Sequence, residues 1–301
     1  MKLPTFLIVG VQKAGTTSIY NYLQEHPQVF MSRIKETNFL EQDWLSLPPE
    51  KQNKNGIVTI EDYAALFADV RDEIAIGEAS PNYLFHYESS AARIKKYVPD
   101  ARLIMVLRNP VERAYSDYLM HIRDAISTKV MSFSEQIDKR AHKSFIIRKG
   151  FYATPVKYYM DRFDKDQIKV YLYDDLVRDP QQFMEEFYVD IGVEPFQPNV
   201  SKKVQQAKIP KNQTINNLLQ SKNPLRAFVA NTLKTVVPLE TRQKIRDRLI
   251  NLNSKSKKEM PLSSEDRQKL IDLYREDILQ LQDLIDRDLS RWLQPTTKNN
   301  E

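Results

Sequence analysis

The stretch FLIVGVQKAGTT, residues 6–17, decides the fold class of this 301-residue chain. Its first part, Phe6–Val9, is a short apolar run that ends at a glycine, which is typical of a buried parallel strand. Its last part opens a helical pattern that we expect to run from Thr16 to His26, because Pro27 follows it. A glycine-bounded loop between a strand and a helix is typical of phosphate-binding α/β proteins.

The loop differs in one respect from the common phosphate-binding pattern G-x-x-x-x-G-K-[ST]. Gly10 and Gly15 have the expected spacing, but Lys13 lies inside the loop, and Thr16 and Thr17 follow the second glycine. Backbone N–H groups at a helix N-terminus, two hydroxyls and a nearby ammonium still favour a phosphate. An ordinary tight turn between a strand and a helix is the alternative that the pattern leaves open.

Strands and helices alternate beyond this loop. The further segments are, in chain order, a strand at Ile74–Ile76, a helix at Ser89–Tyr97, a strand at Arg102–Leu107, a helix at Pro110–Asp124, a helix opened by the capping box Ser132–Glu135, a strand at Ile168–Tyr173 and a helix from Pro180. The alternation predicts an α/β fold with a P-loop-type parallel sheet flanked by helices. We expect one domain over 1–301, with an α/β core over about 1–215. A basic helical C-terminal extension over about 216–295 then ends in a periodic helix, Ser263–Leu293.

A second motif, RNPVERAYSDY, spans residues 108–118 directly after the predicted strand Arg102–Leu107. Ligands of open parallel sheets bind at the carboxyl ends of the strands. Arg108 lies at such an end, and Ser116 lies two turns into the following helix. A guanidinium and a hydroxyl in these places are suited to a second phosphate. Taken alone, an Arg–carboxylate pair beside a solvated serine is the simpler interpretation.

The charges are unevenly distributed, although 45 Lys and Arg against 40 Asp and Glu give a net charge of only +5. Lys202–Lys258 alone holds 14 basic and 2 acidic residues, which is consistent with a solvated basic face or with an anionic partner. The chain has no cysteine, which excludes disulfides and thiolate ligands, and its histidines have no metal-ligand spacing. No leader and no apolar run of about 18 residues is visible. We therefore expect a cytoplasmic protein without a metal.

Taken together, the two motifs resemble those of the sulfotransferases that use 3′-phosphoadenosine-5′-phosphosulfate. The resemblance is closer to the branch that contains the heparan-sulfate N- and O-sulfotransferases and their bacterial relatives. Lys13–Thr17 is similar to the family's 5′-phosphosulfate loop, and Arg108–Ser116 is similar to its 3′-phosphate motif. The resemblance covers about residues 1–215 and includes the short motifs Lys35–Phe39, Gly77–Pro81, Gly150–Tyr152 and Asp175–Pro180.

The resemblance implies a donor with two phosphate ends as co-substrate. The residues that it assigns to the 5′-phosphosulfate are Lys13, Ala14, Gly15, Thr16, Thr17 and Ser18. Arg108 and Ser116 would bind the 3′-phosphate that distinguishes this donor from ATP. Tyr152, together with one of Lys202 and Lys203 from a donor-covering loop, would complete the donor site.

The resemblance also implies the catalytic groups. Lys13 would neutralise charge on the bridging oxygen as the sulfuryl group leaves. Glu36 matches the family's catalytic base, and an exposed loop glutamate paired with Lys35 is the alternative. His121 aligns with a histidine of the N-sulfotransferase-like members, and a packed helix histidine is the alternative there.

The resemblance favours a hydroxyl, rather than an amine, of a carbohydrate, glycolipid or other small molecule as the acceptor. Relatives that sulfate glycosaminoglycans often carry lysine where this chain has Ala79, so heparan sulfate is not implied. Apolar and basic residues interleave over Asn223–Leu252, which predicts peripheral contact with an anionic membrane, and no motif that reads nucleic-acid bases is present. Two other functions stay open: a P-loop nucleotide kinase or NTPase, and a non-catalytic protein that binds anionic surfaces.

Overall fold

Phe6–Gly10 forms the central strand of a five-stranded parallel sheet, as its continuous apolar sequence predicts. The structure, a computed structural model, describes residues 1–124, 131–200, 209–210, 254–255 and 260–295. The strands are β1 Phe6–Gly10, β2 Val29–Met31, β3 Ala75–Ala79, β4 Arg102–Leu107 and β5 Ile168–Leu172. Their order in the sheet is β2-β3-β1-β4-β5, so β1 lies between β3 and β4. Every residue of β1 and β3 is buried.

Helices connect the strands and continue beyond the sheet. They are α1 Thr16–Gln24, α2 Ile60–Ala65, α3 Tyr87–Tyr97, α4 Pro110–Asp124, α5 Phe133–Arg140, α6 Phe145–Arg148, α7 Ala153–Met160, α8 Tyr173–Arg178, α9 Pro180–Ile191 and α10 Ser264–Ile285. Short 3₁₀ turns are formed by Phe39–Glu41, Trp44–Ser46, Pro49–Lys51, Lys165–Gln167 and Ser290–Leu293. Ile209–Pro210 and Ser254–Lys255 pair as the antiparallel strands β6 and β7. Within the part of the chain that the structure describes, no helix has the length and apolar character needed to span a bilayer.

The chain divides into two compact units. The first unit comprises Met1–Arg113, Lys149–Val204 and Ile271–Glu301, and it contains the five-stranded sheet. The second unit comprises Ala114–Arg148 and Gln205–Leu270. In the second unit the rings of Tyr115, Tyr118 and Phe133 pack on one another, and Ser134 donates a hydrogen bond to Asp266. A single domain over residues 1–301 stays a prediction.

The predicted α/β class, with its parallel sheet and C-terminal helix, is confirmed. The predicted capping box is also present, since the Ser132 hydroxyl accepts from the Glu135 N–H and the Glu135 carboxylate accepts from the Ser132 N–H.

Two predicted elements end three or more residues away from the predicted boundary. The strand expected at Ile74–Ile76 runs instead from Ala75 to Ala79, so Glu78 lies in a buried strand rather than in the loop after it. The helix expected to reach Leu293 ends at Ile285, because Asp286 has a φ of 50°, in the left-handed region. A 3₁₀ turn then buries Leu289 and Trp292, which explains why the apolar periodicity continues past the end of the helix.

Candidate active site

The loop after β1 presents the start of α1 without an acidic or capping side chain. Lys13 and Gly15 have φ values of 71° and 79°, and Gly15 is the N-cap residue of α1. Glycine is required there, because a Cβ would lie 2.7 Å from Leu176 and 3.1 Å from Tyr173 in addition to the left-handed φ. The first turn of α1 has no acidic residue, so its backbone dipole and N–H groups suit an anion.

Arg108 joins the second motif to this loop. Strands β1 and β4 are parallel neighbours, so their carboxyl ends lie at the same edge of the sheet. The Arg108 Nη1 donates to the carbonyl oxygen of Lys13 at 2.7 Å, and the guanidinium lies 4.6 Å from the centroid of the Tyr173 ring. The Tyr152 hydroxyl donates to the carbonyl oxygen of Arg108 at 2.9 Å. Lys13, Arg108 and Tyr152, which are far apart in the sequence, are therefore brought together.

Tyr152 is held from the C-terminal helix. The carboxylate of Asp277 on α10 accepts from the N–H groups of Tyr152 at 2.7 Å and Ala153 at 3.1 Å, at the start of α7. Burial raises the pKa of Asp277 to about 6, although the two backbone hydrogen bonds act in the opposite direction. Gly150 packs so close to the Tyr274 ring that a Cβ would lie 2.7 Å from it.

Glu36 lies in the loop between β2 and the Phe39–Glu41 turn, with a φ of 62°. Its N–H donates to the carbonyl oxygen of Ala79 at 2.9 Å, which anchors the loop at the carboxyl end of β3, next to β1. The Glu36 carboxylate accepts from Lys35 Nζ at 2.7 Å, and its side chain is 39% exposed. The structure thus contains the ion pair that sequence reasoning gave as the alternative. That pair leaves the carboxylate partly open to solvent.

Glu78 was not among the predicted site residues. It is fully buried in β3, and its carboxyl group accepts hydrogen bonds from four hydroxyls, those of Thr37, Tyr63, Ser80 and Tyr83. Burial raises the pKa of Glu78, and the hydroxyl donors oppose that effect. In the sequence, a glutamate followed by Ala-Ser-Pro indicates a loop. The burial of Glu78 is recognisable only from its four hydroxyl partners, which no short motif brings together.

Lys149 is a second residue that sequence reasoning missed. Its Nζ donates to the side-chain oxygens of Gln12, in the loop between β1 and α1, at 2.6 Å and of Asn82 at 3.2 Å. The ammonium also lies 5.7 Å from the centroid of the Phe85 ring. The sequence contains a signal for Lys149 as a site residue, because Lys149 immediately precedes the Gly150–Tyr152 motif.

Four further residues were predicted for the site: two belong to the second unit, and two lie outside the described residues. Ser116 and His121 lie on α4 and belong to the second unit, whereas Lys13, Glu36 and Arg108 belong to the first. His121 Nε2 lies 3.9 Å from Asp117 Oδ1, and the His121 side chain is 57% exposed. Lys202 and Lys203 lie outside the described residues, as does the segment 223–252.

No group of three or more metal-ligating side chains occurs among the residues that the structure describes. Asp174, which follows an apolar run as a Mg²⁺-binding aspartate would, lies at the start of α8. Its Oδ2 accepts from the Trp292 indole N–H at 3.0 Å. The carboxylate therefore fixes the C-terminal 3₁₀ turn.

These features define the class of protein. A central parallel strand leads through a glycine-bounded loop into a helix, and an arginine from the next strand contacts that loop; this is an α/β protein of the P-loop type. The model of the sulfotransferase family matches residues 4–198. The chain therefore belongs to the sulfotransferase family, as the two sequence motifs predicted.

Solved and curated proteins agree with this assignment. A sulfotransferase from Alicyclobacillus acidocaldarius has a crystal structure similar to this one, with a TM-score of 0.70 and 28% identity over 98% of this chain and 100% of that one. The human bifunctional heparan sulfate N-deacetylase/N-sulfotransferase 3 is 29% identical over 204 residues, which are 64% of this chain and 23% of that protein. Human carbohydrate sulfotransferase 15 is 32% identical over 151 residues, 39% of this chain and 27% of that protein. The chain thus spans about a quarter of the length of these curated relatives.

Proposed function

We propose that this protein transfers a sulfuryl group from 3′-phosphoadenosine-5′-phosphosulfate to a hydroxyl of a carbohydrate or glycolipid. The observation that carries the proposal is the contact between Arg108 and the carbonyl oxygen of Lys13 at 2.7 Å. It places a guanidinium, suited to one phosphate, against a loop suited to another. A donor with a phosphate at each end of its ribose matches two such groups better than a linear triphosphate does.

The residues of the loop fit the sulfated end of this donor. The co-substrate supplies a sulfuryl group attached to a phosphate, which is the leaving group. The N–H groups at the start of α1, the hydroxyls of Thr16, Thr17 and Ser18, and the Lys13 ammonium would bind its negative charge. Lys13 would neutralise the charge that develops on the bridging oxygen. Arg108 would bind the 3′-phosphate, with Tyr152 supporting the Arg108 backbone.

Glu36 is the proposed base. It would take the proton of the acceptor hydroxyl while Lys13 and the loop stabilise the leaving group on the donor. Its carboxylate is partly exposed, so an acceptor can reach it once Lys35 moves from the carboxylate. Ser116, His121, Lys202 and Lys203 keep the donor-binding and catalytic roles that the family resemblance assigns, as proposals.

The carbohydrate acceptor is proposed from the relatives. Their names describe sulfotransferases of heparan sulfate and of carbohydrates. Ala79 stands where glycosaminoglycan-sulfating relatives often carry lysine, so we propose a different carbohydrate or a glycolipid rather than heparan sulfate itself.

The decisive comparison is between two nucleotides, because the alternative is a P-loop NTPase. Adenosine 3′,5′-bisphosphate in EDTA should raise the melting temperature of the protein more than ATP with Mg²⁺ does, because ligands that bind only the folded state stabilise it. Equal stabilisation by both nucleotides, or stabilisation by ATP–Mg²⁺ alone, would contradict the two-phosphate donor and favour the NTPase.

We propose in addition that the basic segment 223–252 attaches a cytoplasmic enzyme peripherally to anionic membranes, which would bring it to a lipid-linked acceptor. Co-sedimentation with anionic vesicles but not with neutral vesicles is the expected result. Equal recovery in the supernatant with both lipids would refute the attachment and leave the transferase proposal untouched.

A further inference from the structure

We propose that Glu78 is a positioning residue for Glu36. It orients a cage of hydroxyls, those of Thr37, Ser80 and Tyr83, and this cage holds the backbone of residues 38–40. The inference rests on the proposed role of Glu36. It concerns groups that are fully buried, in contrast to the partly exposed carboxylate of Glu36.

The cage begins with a carboxyl group that has no access to solvent. Thr37 Oγ1 donates to Glu78 Oε1 at 2.7 Å, and Tyr63 donates to Oε2 at 2.9 Å. The Tyr83 hydroxyl donates to Oε2 at 3.1 Å, and the Ser80 hydroxyl donates to Oε1. A buried carboxyl group needs hydrogen-bond donors, and four hydroxyls from two loops and a helix supply them.

Three of these hydroxyls also accept hydrogen bonds from consecutive backbone N–H groups of the loop. The N–H of Asn38 donates to Ser80 Oγ at 3.0 Å, the N–H of residue 39 to Thr37 Oγ1 at 3.3 Å, and the N–H of residue 40 to the Tyr83 hydroxyl at 3.1 Å. Each hydroxyl has one proton, which it gives to Glu78, so its oxygen faces the loop as an acceptor. Glu78 thereby sets the direction of all three contacts.

The loop needs this support because its backbone is strained. Glu36 and Asn38 have φ values of 62° and 52°, in the left-handed region that costs non-glycine residues about 1 kcal/mol or more each. The cage fixes the N–H groups of residues 38–40, and the carbonyl oxygen of Ala79 fixes the N–H of Glu36 itself. The base is therefore held relative to the carboxyl end of β3, next to the strand that leads into the phosphate loop.

The chain offers matched variants for a test. Thr37→Val, Ser80→Ala and Tyr83→Phe each remove one hydroxyl that links Glu78 to the loop. Tyr63→Phe removes a hydroxyl that donates to Glu78 but accepts from none of the three loop N–H groups, and Thr37→Ser keeps its hydroxyl. Displacement of a catalytic group by about 1 Å costs up to about 100-fold in rate, so the first three variants should lower kcat by about tenfold or more. Tyr63→Phe and Thr37→Ser should lower kcat by less than about threefold, because both variants keep the three hydroxyls that accept from the loop N–H groups.

Two further readouts separate positioning from loss of structure. The dissociation constant of adenosine 3′,5′-bisphosphate should stay within about twofold of wild type in all five variants, since the donor site is intact. Melting temperatures should fall as much for Tyr63→Phe as for Tyr83→Phe. Equal kcat losses for these two variants, or unchanged kcat in the three linking variants, would overturn the inference. Full activity in Glu36→Gln would refute the proposed role of Glu36 as the base, whatever the cage variants show.

Discussion

At the scale of single residues, Arg108 makes the contact on which the proposed donor site depends. Its guanidinium reaches the carbonyl oxygen of Lys13 and stacks on Tyr173, which leaves a planar fork fixed at the carboxyl end of β4. Lysine has a comparable charge but neither the fork nor the stacking surface. A substitution that keeps only the positive charge should therefore weaken the binding of an anion that the guanidinium recognises.

Arg108→Lys should weaken the binding of adenosine 3′,5′-bisphosphate by about tenfold or more, because a charge-assisted bidentate contact contributes about 1.5–3 kcal/mol. It should weaken the binding of adenosine 5′-phosphate, which lacks the 3′-phosphate, much less. Calorimetric titration measures both constants. Arg102→Lys is the matched control, because Arg102 begins the same strand and donates to the carbonyl oxygen of Asp190. Equal losses for the two nucleotides would show that Arg108 does not bind the 3′-phosphate.

At the scale of secondary-structure elements, β3 is a strand that was predicted with the wrong bounds. Gly77 faces Phe6 of β1 and Met31 of β2 in the register of the sheet, and a Cβ at this position would overlap the Phe6 ring and the Met31 sulfur. The three strands can pack at this point only because one of them lacks a side chain.

Gly77→Ala should lower the free energy of unfolding by about 1–3 kcal/mol, the usual cost of overpacking a core. Urea denaturation followed by circular dichroism gives the value. Phe6→Leu in the same background makes room for the methyl group, so the double variant should lose less than the sum of the two single variants. Simple additivity would contradict the packing argument.

Helix α10 fixes the start of α7 through one carboxyl group. The pKa of Asp277 is about 6 in the folded protein, against an ordinary value of 3.8. The folded state therefore binds this proton more tightly than the unfolded state does. The resulting stabilisation is complete below about pH 3.8 and is lost as the pH rises through about 6.

Asp277→Asn removes this proton linkage. Relative to wild type, the unfolding free energy of the variant should fall by about 2–3 kcal/mol between pH 7 and pH 4, because one pKa unit corresponds to about 1.4 kcal/mol. Urea titrations at four pH values in this range measure the difference. Asp283→Asn, which replaces an exposed acid of the same helix, is the control. A difference that does not vary with pH would contradict the raised pKa.

At the scale of the whole molecule, the features that could be predicted from the sequence are those formed by residues close together in the chain. The strands at Phe6 and Arg102 and the loop between Gly10 and Gly15 are recognisable because their signals lie within about a dozen residues. Strand β2 has three residues, which is too short for any periodicity to appear. The helix at Ser264 was predicted too long, because the 3₁₀ turn at its end buries apolar residues at a similar spacing.

The candidate site was predictable only in part for the same reason. Residue types and motifs indicated Lys13, Glu36 and Arg108 separately, but the hydrogen bond from Arg108 to Lys13 joins positions 95 residues apart. The environment of Glu78 depends on hydroxyls from two loops and a helix, none of which is distinctive alone. Such contacts arise from the order of the strands in the sheet, which no short motif encodes.

The central claim is that the protein moves a sulfuryl group with Glu36 as the base. The most direct test measures the release of adenosine 3′,5′-bisphosphate from 3′-phosphoadenosine-5′-phosphosulfate, with and without carbohydrate and glycolipid acceptors, for wild type, Glu36→Gln and the control Glu50→Gln, an exposed glutamate in the Pro49–Lys51 turn. We predict acceptor-dependent release by wild type and Glu50→Gln, and release about 100-fold slower or more by Glu36→Gln, the usual cost of losing a general base. Release by wild type that no acceptor accelerates, or full activity in Glu36→Gln, would contradict the account.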